Sequence, residues 1–188
     1  VTLLGGFGGA TKGFGATINQ ELTFVSAEDF QSSNGNALAS LAQGELWRAI
    51  TPIFIHLEIM HLVFNMIMFF QFGRLVESTR GTAWFAFAVL LIAIFSNLSQ
   101  AIAPEDLGGN PFFGGMSGVV YGLFGYAWMK SVFDPQPGFR LSQVTVIILM
   151  AWLFLCMTPA IKDVANVAHV VGLVAGAACG YLPTLWRT

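Results

Sequence analysis

The chain divides into long apolar runs that are separated by short polar segments. No Asp, Glu, Lys or Arg occurs in residues 81–104, 107–129, 141–161 or 164–186, and residues 59–73 form a fifth, shorter run. A helix of about 20 apolar residues crosses the ~30 Å hydrocarbon core of a bilayer. The short alternating segments typical of membrane-spanning β-strands are missing from these runs. The pattern therefore predicts an all-α, polytopic membrane protein.

Five transmembrane helices are predicted from these runs and from the Gly and Pro residues in the connections between them. Their expected bounds are 52–74, 82–102, 114–132, 142–160 and 164–184. A water-soluble helical bundle is the alternative. Its helices would carry polar faces at a period of 3.6 residues, and four of the runs have none.

The beginning of the chain differs from the rest. Residues 1–18 are glycine-rich and only weakly apolar, and we expect them to be the remnant of a first transmembrane helix. Residues 19–47 are mostly polar, which predicts a long outer loop. Residues 48–188 then form the core with its five transmembrane helices, and the whole chain is expected to be a single domain.

Composition and charge support the membrane prediction. Hydrophobic residues make up 55% of the chain and charged residues 10%, whereas a water-soluble domain carries about 25% charged residues. The net charge is -2 and no block of basic residues occurs, so nothing indicates nucleic-acid binding. Cys156 and Cys179 both lie in apolar runs, where a thiol is typically a small hydrophobic group rather than a disulfide partner or metal ligand.

The distribution of Lys and Arg predicts an orientation. Basic residues cluster after the first, third and fifth predicted helices, whereas acidic residues collect in residues 19–47 and in the loop 103–113. Because cytoplasmic loops carry an excess of Lys and Arg, the first set is expected to be cytoplasmic. Residues 19–47 and the loops 103–113 and 160–164 then face outward.

Four polar residues lie where a membrane helix should be apolar: His61, Asn65, Ser117 and His169. Such residues are costly in a bilayer and are candidates for function. The predicted orientation puts all four in the outer half of the membrane. Three separate helices thus bring a serine, an asparagine and two histidines to a similar depth.

Residue spacing relates these positions to one another. His61 and Asn65 are four apart, so they share one helical face. Two stripes of small residues also run along the helices of Ser117 and His169. Small residues at four-residue spacing allow membrane helices to approach closely. If the two stripes face each other, Ser117 and His169 come within hydrogen-bonding distance. The stripes consist of Gly118, Gly122 and Gly125 after Ser117, and of Gly172, Gly176 and Gly180 after His169.

This set of side chains suits acyl transfer. A serine hydroxyl needs a base to accept its proton, which neutral His169 could do for Ser117. The oxyanion of the intermediate needs fixed donors, and His61, Asn65 and the backbone N–H of Ser117 could supply them. No acidic residue lies near Ser117 or His169 in the predicted spans, so a Ser-His dyad is expected. Tyr121, one turn after Ser117, could orient the ring of His169 by stacking.

Several motifs together resemble the rhomboid family of intramembrane serine proteases. They occur in order over about residues 47–182. G-x-S-G alone is weak evidence, but the ordered set is highly specific. The motifs are Gly115-Met116-Ser117-Gly118, then His56, His61 and Asn65 in the pattern H-x4-H-x3-N, and Ala168-His169-Val170-Val171-Gly172 with Gly176.

The resemblance implies a six-helix bundle whose first helix is largely missing from this chain. It implies a serine endopeptidase that cleaves transmembrane helices of membrane-protein substrates, usually single-pass, near the outer membrane face, without a metal or other cofactor. The expected location is the bacterial plasma (inner) membrane, with the active site opening to the non-cytoplasmic side. The lipid bilayer is then a partner, and nucleic acid is not.

The resemblance also implies a role for individual residues. Ser117 would be the nucleophile, His169 the base, and His61 and Asn65 oxyanion donors. The supporting residues would be Gly115, Gly118, Tyr121, His56 and Gly172, with Arg48 and Glu77 in structural roles.

Three other functions remain open from the sequence. A catalytically inactive relative could bind membrane proteins without cutting them, and a transporter could also carry polar residues in its spans. A metal enzyme is a third alternative, but His56 and His61 are five apart, about 140° around a helix, which suits joint ligation poorly. A candidate gate for substrate entry is the aromatic-rich helix 142–160.

Overall fold

The computed structural model describes residues 14–56, 58–135, 140–161 and 163–184, and these residues contain helices and no β-strand. The all-α class is therefore confirmed. The helices within them are α1 (Phe14–Leu22), α2 (Ala27–Ser32), α3 (Ala39–Ala42), α4 (Ile59–Arg80), α5 (Thr82–Ile102), α6 (Ser117–Phe133), α7 (Gln143–Cys156) and α8 (Asn166–Tyr181).

The five predicted helices of the core correspond to α4–α8. The predicted bounds of α5 match at both ends, and those of α6, α7 and α8 differ from the structure by a few residues. The prediction of 52–74 for α4 is wrong at both ends. The predicted first-helix remnant lies partly outside the described residues, and the part inside them begins α1 at Phe14.

The start of α4 is displaced because the chain turns before it. Pro52 lies in a short 3₁₀ helix, Thr51–Phe54, which ends when Ile55 adopts an extended conformation. A regular α-helix begins only at Ile59. His56 therefore lies in a connection rather than on the helix.

The other end of α4 extends one and a half turns beyond Arg74. The helix ends at Gly81, whose φ of 82° is a conformation that favours glycine. The carboxylate of Glu77 accepts a hydrogen bond from the Thr82 hydroxyl at 2.8 Å, which joins the end of α4 to the start of α5. This contact fits the structural role expected for Glu77.

Helix α6 forms the centre of the bundle, and α8 packs along it. Every residue of α6 from 118 to 127 is buried. A Cβ atom on Gly172 would lie 2.1 Å from the carbonyl oxygen of Gly118, and one on Gly176 would lie 1.7 Å from that of Gly122. The two backbones are thus in direct contact, and the two predicted glycine stripes face each other.

Helix α7 lies at the edge of the bundle. Its only buried residues are Leu153 and Cys156. A hydrogen bond from the Tyr121 hydroxyl to the carbonyl oxygen of Leu149, 3.2 Å long, joins it to α6. Val146, Leu149 and Met150 are partly buried against the core, and most of the other side chains of α7 are apolar and exposed.

The outer surfaces of α4, α5 and α7 are mainly apolar. Helices α4 and α5, with 22 and 21 residues, are long and apolar enough to cross a membrane. Exposed apolar surface of this extent is unusual for a protein in water and is typical of lipid contact. The large apolar side chains that are most exposed on this surface are Ile59, Met60, Phe64, Ile67 and Phe70 on α4, Phe87 and Phe95 on α5, and Val144, Ile147, Ile148, Trp152 and Phe154 on α7.

The segment before the core is held by Arg48. Its buried guanidinium donates hydrogen bonds to the carbonyl oxygens of Gln20 and Thr23, at 2.6 and 2.9 Å, and forms ion pairs with Glu21 and Glu45. A buried guanidinium is stable only when such partners satisfy it. Arg48 therefore ties the end of α1 to the beginning of the core.

Candidate active site

Ser117 and His169 meet at the contact between α6 and α8. The Nε2 atom of His169 lies 2.7 Å from the Oγ atom of Ser117. Ser117 is the first residue of α6, and His169 lies in the first turn of α8. The glycines let the two helix backbones approach closely, which brings the serine and histidine side chains within hydrogen-bonding distance.

The His169 ring is buried and packs against Tyr121. The ring centroids are 4.9 Å apart and the planes are inclined by 39°, so the contact is tilted rather than fully stacked. Among the described residues, the Nδ1 atom of His169 has no hydrogen-bond partner. The arrangement is therefore a serine–histidine pair without a carboxylate at the far side of the ring.

Gly115 occupies the turn that leads into α6. Its φ is 129°, which favours glycine, and its N–H donates to the carbonyl oxygen of Pro52 at 3.1 Å. A Cβ atom here would lie 3.0 Å from Nε2 of His61 and 3.6 Å from Oγ of Ser117. His61 and Ser117 thus border the same small volume, which only the missing side chain of Gly115 leaves open.

The first turn of α6 borders this volume as well. The first N–H groups of a helix have no acceptor within the helix, and they carry its positive partial charge. Met116 precedes the helix and supplies no side-chain cap. The backbone N–H of Ser117 belongs to this first turn, beside the serine's own hydroxyl.

Asn65 and His56 lie on either side of His61. The Nδ2 atom of Asn65 donates to the carbonyl oxygen of His61 at 3.0 Å, so one of its two amide hydrogens is used within α4. His56 is buried, and its ring centroid lies 5.0 Å from that of His61. The Met116 N–H points to Nε2 of His56 at 3.4 Å. His56 thus supports both His61 and the turn before Ser117.

Gly118 and Gly172 lie where α6 and α8 approach each other, Gly118 directly after the serine and Gly172 about one turn after the histidine. A Cβ atom on Gly118 would lie 2.9 Å from Oγ of Ser96 and 3.2 Å from the carbonyl oxygen of Ala168. The space beside Ser117 is therefore closed by α5 as well as by α8.

Three further polar residues, which the sequence did not predict as part of the site, are buried on α5: Ser96, Asn97 and Gln100. Asn97 donates to the carbonyl oxygen of Ala49 at 3.0 Å, and Gln100 bonds both the loop after α5 and the start of α8. All three lie in a run without charged residues, and because none of them is ionisable, the pattern of charges does not identify them. Their closely spaced amide and hydroxyl groups are the signal that could have found them.

A metal centre was one of the open alternatives. Within the described ranges, no group of three or more His, Cys, Asp or Glu residues is placed to hold a metal ion. The expectation that no metal takes part remains a prediction.

The segment before the core, residues 19–47, contains a hydrogen-bonded carboxylate, Asp29. Its two oxygens accept from the Ser40 hydroxyl at 2.5 Å and from the Gln43 amide at 2.8 Å. The hydrogen bond from Ser40, followed by that from Gln43, lowers the pKa of Asp29 below its usual value. The ionised carboxylate therefore holds α2 against α3.

Known proteins resemble this chain over the same region. The family model for the Rhomboid domain matches residues 43–185. The rhomboid proteases GlpG of Salmonella paratyphi A, Salmonella newport and Salmonella heidelberg are each 34% identical over 142 residues, which cover 75% of this chain and 50% of the relative. The chain thus spans about half the length of these relatives. The matched region contains the bundle of α4–α8 and both members of the serine–histidine pair, and the chain belongs to the rhomboid family.

Proposed function

We propose that the protein is an intramembrane serine endopeptidase in which Ser117 and His169 form a catalytic dyad. The observation that carries the proposal is the 2.7 Å distance between Nε2 of His169 and Oγ of Ser117. A serine hydroxyl becomes an effective nucleophile when a base accepts its proton, and a neutral imidazole at this distance can do so. Family membership supports the same assignment.

The reaction proceeds in two halves. Oγ of Ser117 attacks the carbonyl carbon of the scissile peptide while its proton moves to Nε2 of His169. His169 then gives this proton to the leaving amine, and the acyl group stays on Ser117. A water molecule attacks the acyl carbon, His169 accepts the water's proton, and the return of that proton to Oγ releases the new carboxylate product.

The oxyanion site is proposed to be the volume beside Gly115. The negative charge of a tetrahedral intermediate needs donors already in position, each of which typically contributes a hundredfold or more to the rate. Nε2 of His61 borders this volume, and the Ser117 N–H belongs to the first turn of α6. The second amide hydrogen of Asn65 is the third proposed donor.

Substrates are proposed to be transmembrane helices, usually of single-pass proteins, with a small residue before the cut. His61, Ser117 and His169 all lie in first turns, those of α4, α6 and α8. These turns lie at the end of the bundle that the Lys and Arg distribution assigns to the non-cytoplasmic side. We propose that the protein cleaves near the outer membrane face, in a bacterial inner membrane.

The proposal is tested by labelling the full-length protein, purified in detergent, with a fluorescent fluorophosphonate. We expect the wild-type protein to be labelled with or without a chelator, and Ser117→Ala and His169→Ala to remain unlabelled. Cleavage of a single-pass substrate is measured in parallel and should be lost in the same two variants.

The controls separate this function from the alternatives. Val174→Ile changes an exposed side chain of α8 and should be labelled like the wild type. A folded wild-type protein that neither reacts with the fluorophosphonate nor cleaves the substrate would refute the proposal and favour an inactive membrane-protein binder. Loss of labelling upon chelation would instead indicate a metal.

A further inference from the structure

Gln100 is a buried amide on α5 that the proposed mechanism does not use. Its side chain is only 1% exposed. A primary amide in such a place is costly unless its hydrogen-bonding groups are satisfied. Its Nε2 atom donates to the carbonyl oxygen of Gly108 at 2.8 Å, and its Oε1 atom accepts from the N–H of Ala168 at 3.2 Å.

The bond to Ala168 caps helix α8. The N–H of Ala168 belongs to the first turn, where no acceptor exists within the helix. Ala165, the residue before α8, supplies no side-chain cap. Oε1 of Gln100, from a different helix, therefore takes the place of the missing cap, directly before His169.

The bond to Gly108 fixes the loop that leads to Ser117. Gly108 has a φ of 84°, a conformation that favours glycine. Two residues later, the N–H of Asn110 donates to the main-chain carbonyl oxygen of Gln100 at 3.0 Å. The side-chain Nε2 atom and the main-chain carbonyl oxygen of Gln100 thus both hold the segment between α5 and the turn at Gly115.

We propose that Gln100 is a positioning residue that sets the distance between His169 and Ser117. It joins the segment before the histidine to the segment before the serine by opposite ends of one amide. The inference rests on the proposed function, because the distance matters only if His169 accepts the proton of Ser117. Small displacements of reacting groups cost large factors in rate.

The test compares Gln100→Met, which keeps the length of the side chain and removes both hydrogen bonds, with the wild-type protein. We expect fluorophosphonate labelling of Ser117 to slow on the order of tenfold to a hundredfold. With a transmembrane substrate, kcat should fall and KM should change far less, because the substrate-binding surface is untouched.

Asn97→Leu is the matched control, because Asn97 lies on the same helix and is 2% exposed. Its amide donates to the carbonyl oxygens of Ala49 and Ile50, at 3.0 and 3.4 Å, in the segment before α4. Thermal unfolding should show similar losses of stability for the two variants, while only Gln100→Met loses most of its labelling rate. Equal losses of labelling rate would overturn the inference.

Gln100→Glu provides a test that a merely structural role would not pass. A neutral carboxyl can donate to Gly108 and accept from Ala168, whereas a carboxylate cannot donate. We therefore expect the labelling rate of Gln100→Glu, divided by that of the wild type, to rise as the pH falls and the carboxyl becomes protonated. If burial keeps the carboxyl neutral throughout, this ratio should stay near one. A ratio that stays as low as that of Gln100→Met at every pH would overturn the inference.

The two proposals fail in different ways. If the folded wild-type protein is not labelled, the catalytic dyad is refuted and the positioning role falls with it. If the wild type is labelled and Gln100→Met reacts at the same rate, only the positioning role is refuted.

Discussion

Helices α7 and α8 both contact α6, but α8 packs closely against it and α7 packs loosely. Helix α8 touches α6 backbone to backbone, so that a Cβ atom on Gly176 would lie 1.7 Å from a carbonyl oxygen. Helix α7 buries only Leu153 and Cys156 and turns most of its side chains outward. The contact between α6 and α8 leaves almost no room for either helix to move. The contact of α7 with the rest of the bundle involves few side chains.

The difference separates two requirements of the proposed reaction. The serine and the histidine must stay within hydrogen-bonding distance, which close helix contact through small residues ensures. A transmembrane substrate must also reach them from the lipid, which needs an element that can move. The loosely packed α7 is our proposed gate.

The largest effect is expected from a methyl group added between α6 and α8. Gly176→Ala should destabilise the protein by at least about 3 kcal/mol, the upper end of the usual cost of overpacking. It should also abolish fluorophosphonate labelling, because the backbones must separate. Thermal unfolding in detergent and the labelling rate measure the two effects.

Val174→Ile is the control for this change, since it adds a methyl group to a side chain of α8 that is 60% exposed. We expect it to leave stability and labelling unchanged. A Gly176→Ala protein as stable and reactive as this control would contradict the close contact of α6 and α8.

A smaller effect is expected from loosening α7. Leu153→Ala removes the larger of its two buried side chains, and in lipid the loss should be below the roughly 2–5 kcal/mol that this change costs in a water-soluble core. Labelling of Ser117 should persist, while cleavage of a transmembrane substrate should increase because α7 moves aside more easily.

Phe154→Ala is the matched control on α7, because Phe154 is 62% exposed whereas Leu153 is 3% exposed. It should affect the stability of the protein less than Leu153→Ala does. If Leu153→Ala lost labelling together with stability, α7 would be part of the rigid site, and the proposed gate would have to be another element.

The sequence predicts the α6–α8 contact better than the rest. Glycines at four-residue spacing leave few ways for Ser117 and His169 to meet. The packing of α7 could not be predicted in this way, because its lipid-facing and protein-facing sides are equally apolar. In a membrane helix, apolarity no longer distinguishes the buried face.

Two features depend on tertiary contacts that no local pattern encodes. The start of α4 follows from the turn through Pro52 and Ile55, which positions His56 against the segment before Ser117. The role of Gln100 depends on bonds to Gly108 and Ala168, the latter 68 residues away. Uncharged amides within an apolar run are therefore candidates for buried hydrogen bonds between helices.

A still smaller effect is expected from Tyr121→Phe, which breaks the bond between α6 and α7. The lost hydrogen bond to Leu149 should cost about 0.6 kcal/mol, the average for membrane helices. The ring stays beside His169, so the labelling rate should be unchanged, while hydrogen exchange in α7 should accelerate. Tyr121→Leu also removes the ring and should slow labelling, which separates the two roles of Tyr121.

The smallest effect is expected in residues 19–47, in sequence before both helix contacts. The lowered pKa of Asp29 means that its stabilisation is fully present above the unfolded value of about 3.9 and is lost as the pH falls through the folded value. Asp29→Asn should remove this contribution, so the stability of the variant should fall less than that of the wild type over the same acidic range. Unfolding monitored between neutral and acidic pH measures the difference between the variant and the wild type. Because Asp29 bonds Ser40 and Gln43 within the same segment, the labelling rate at neutral pH should stay that of the wild type, and a loss of labelling would show that this segment controls the contact between Ser117 and His169.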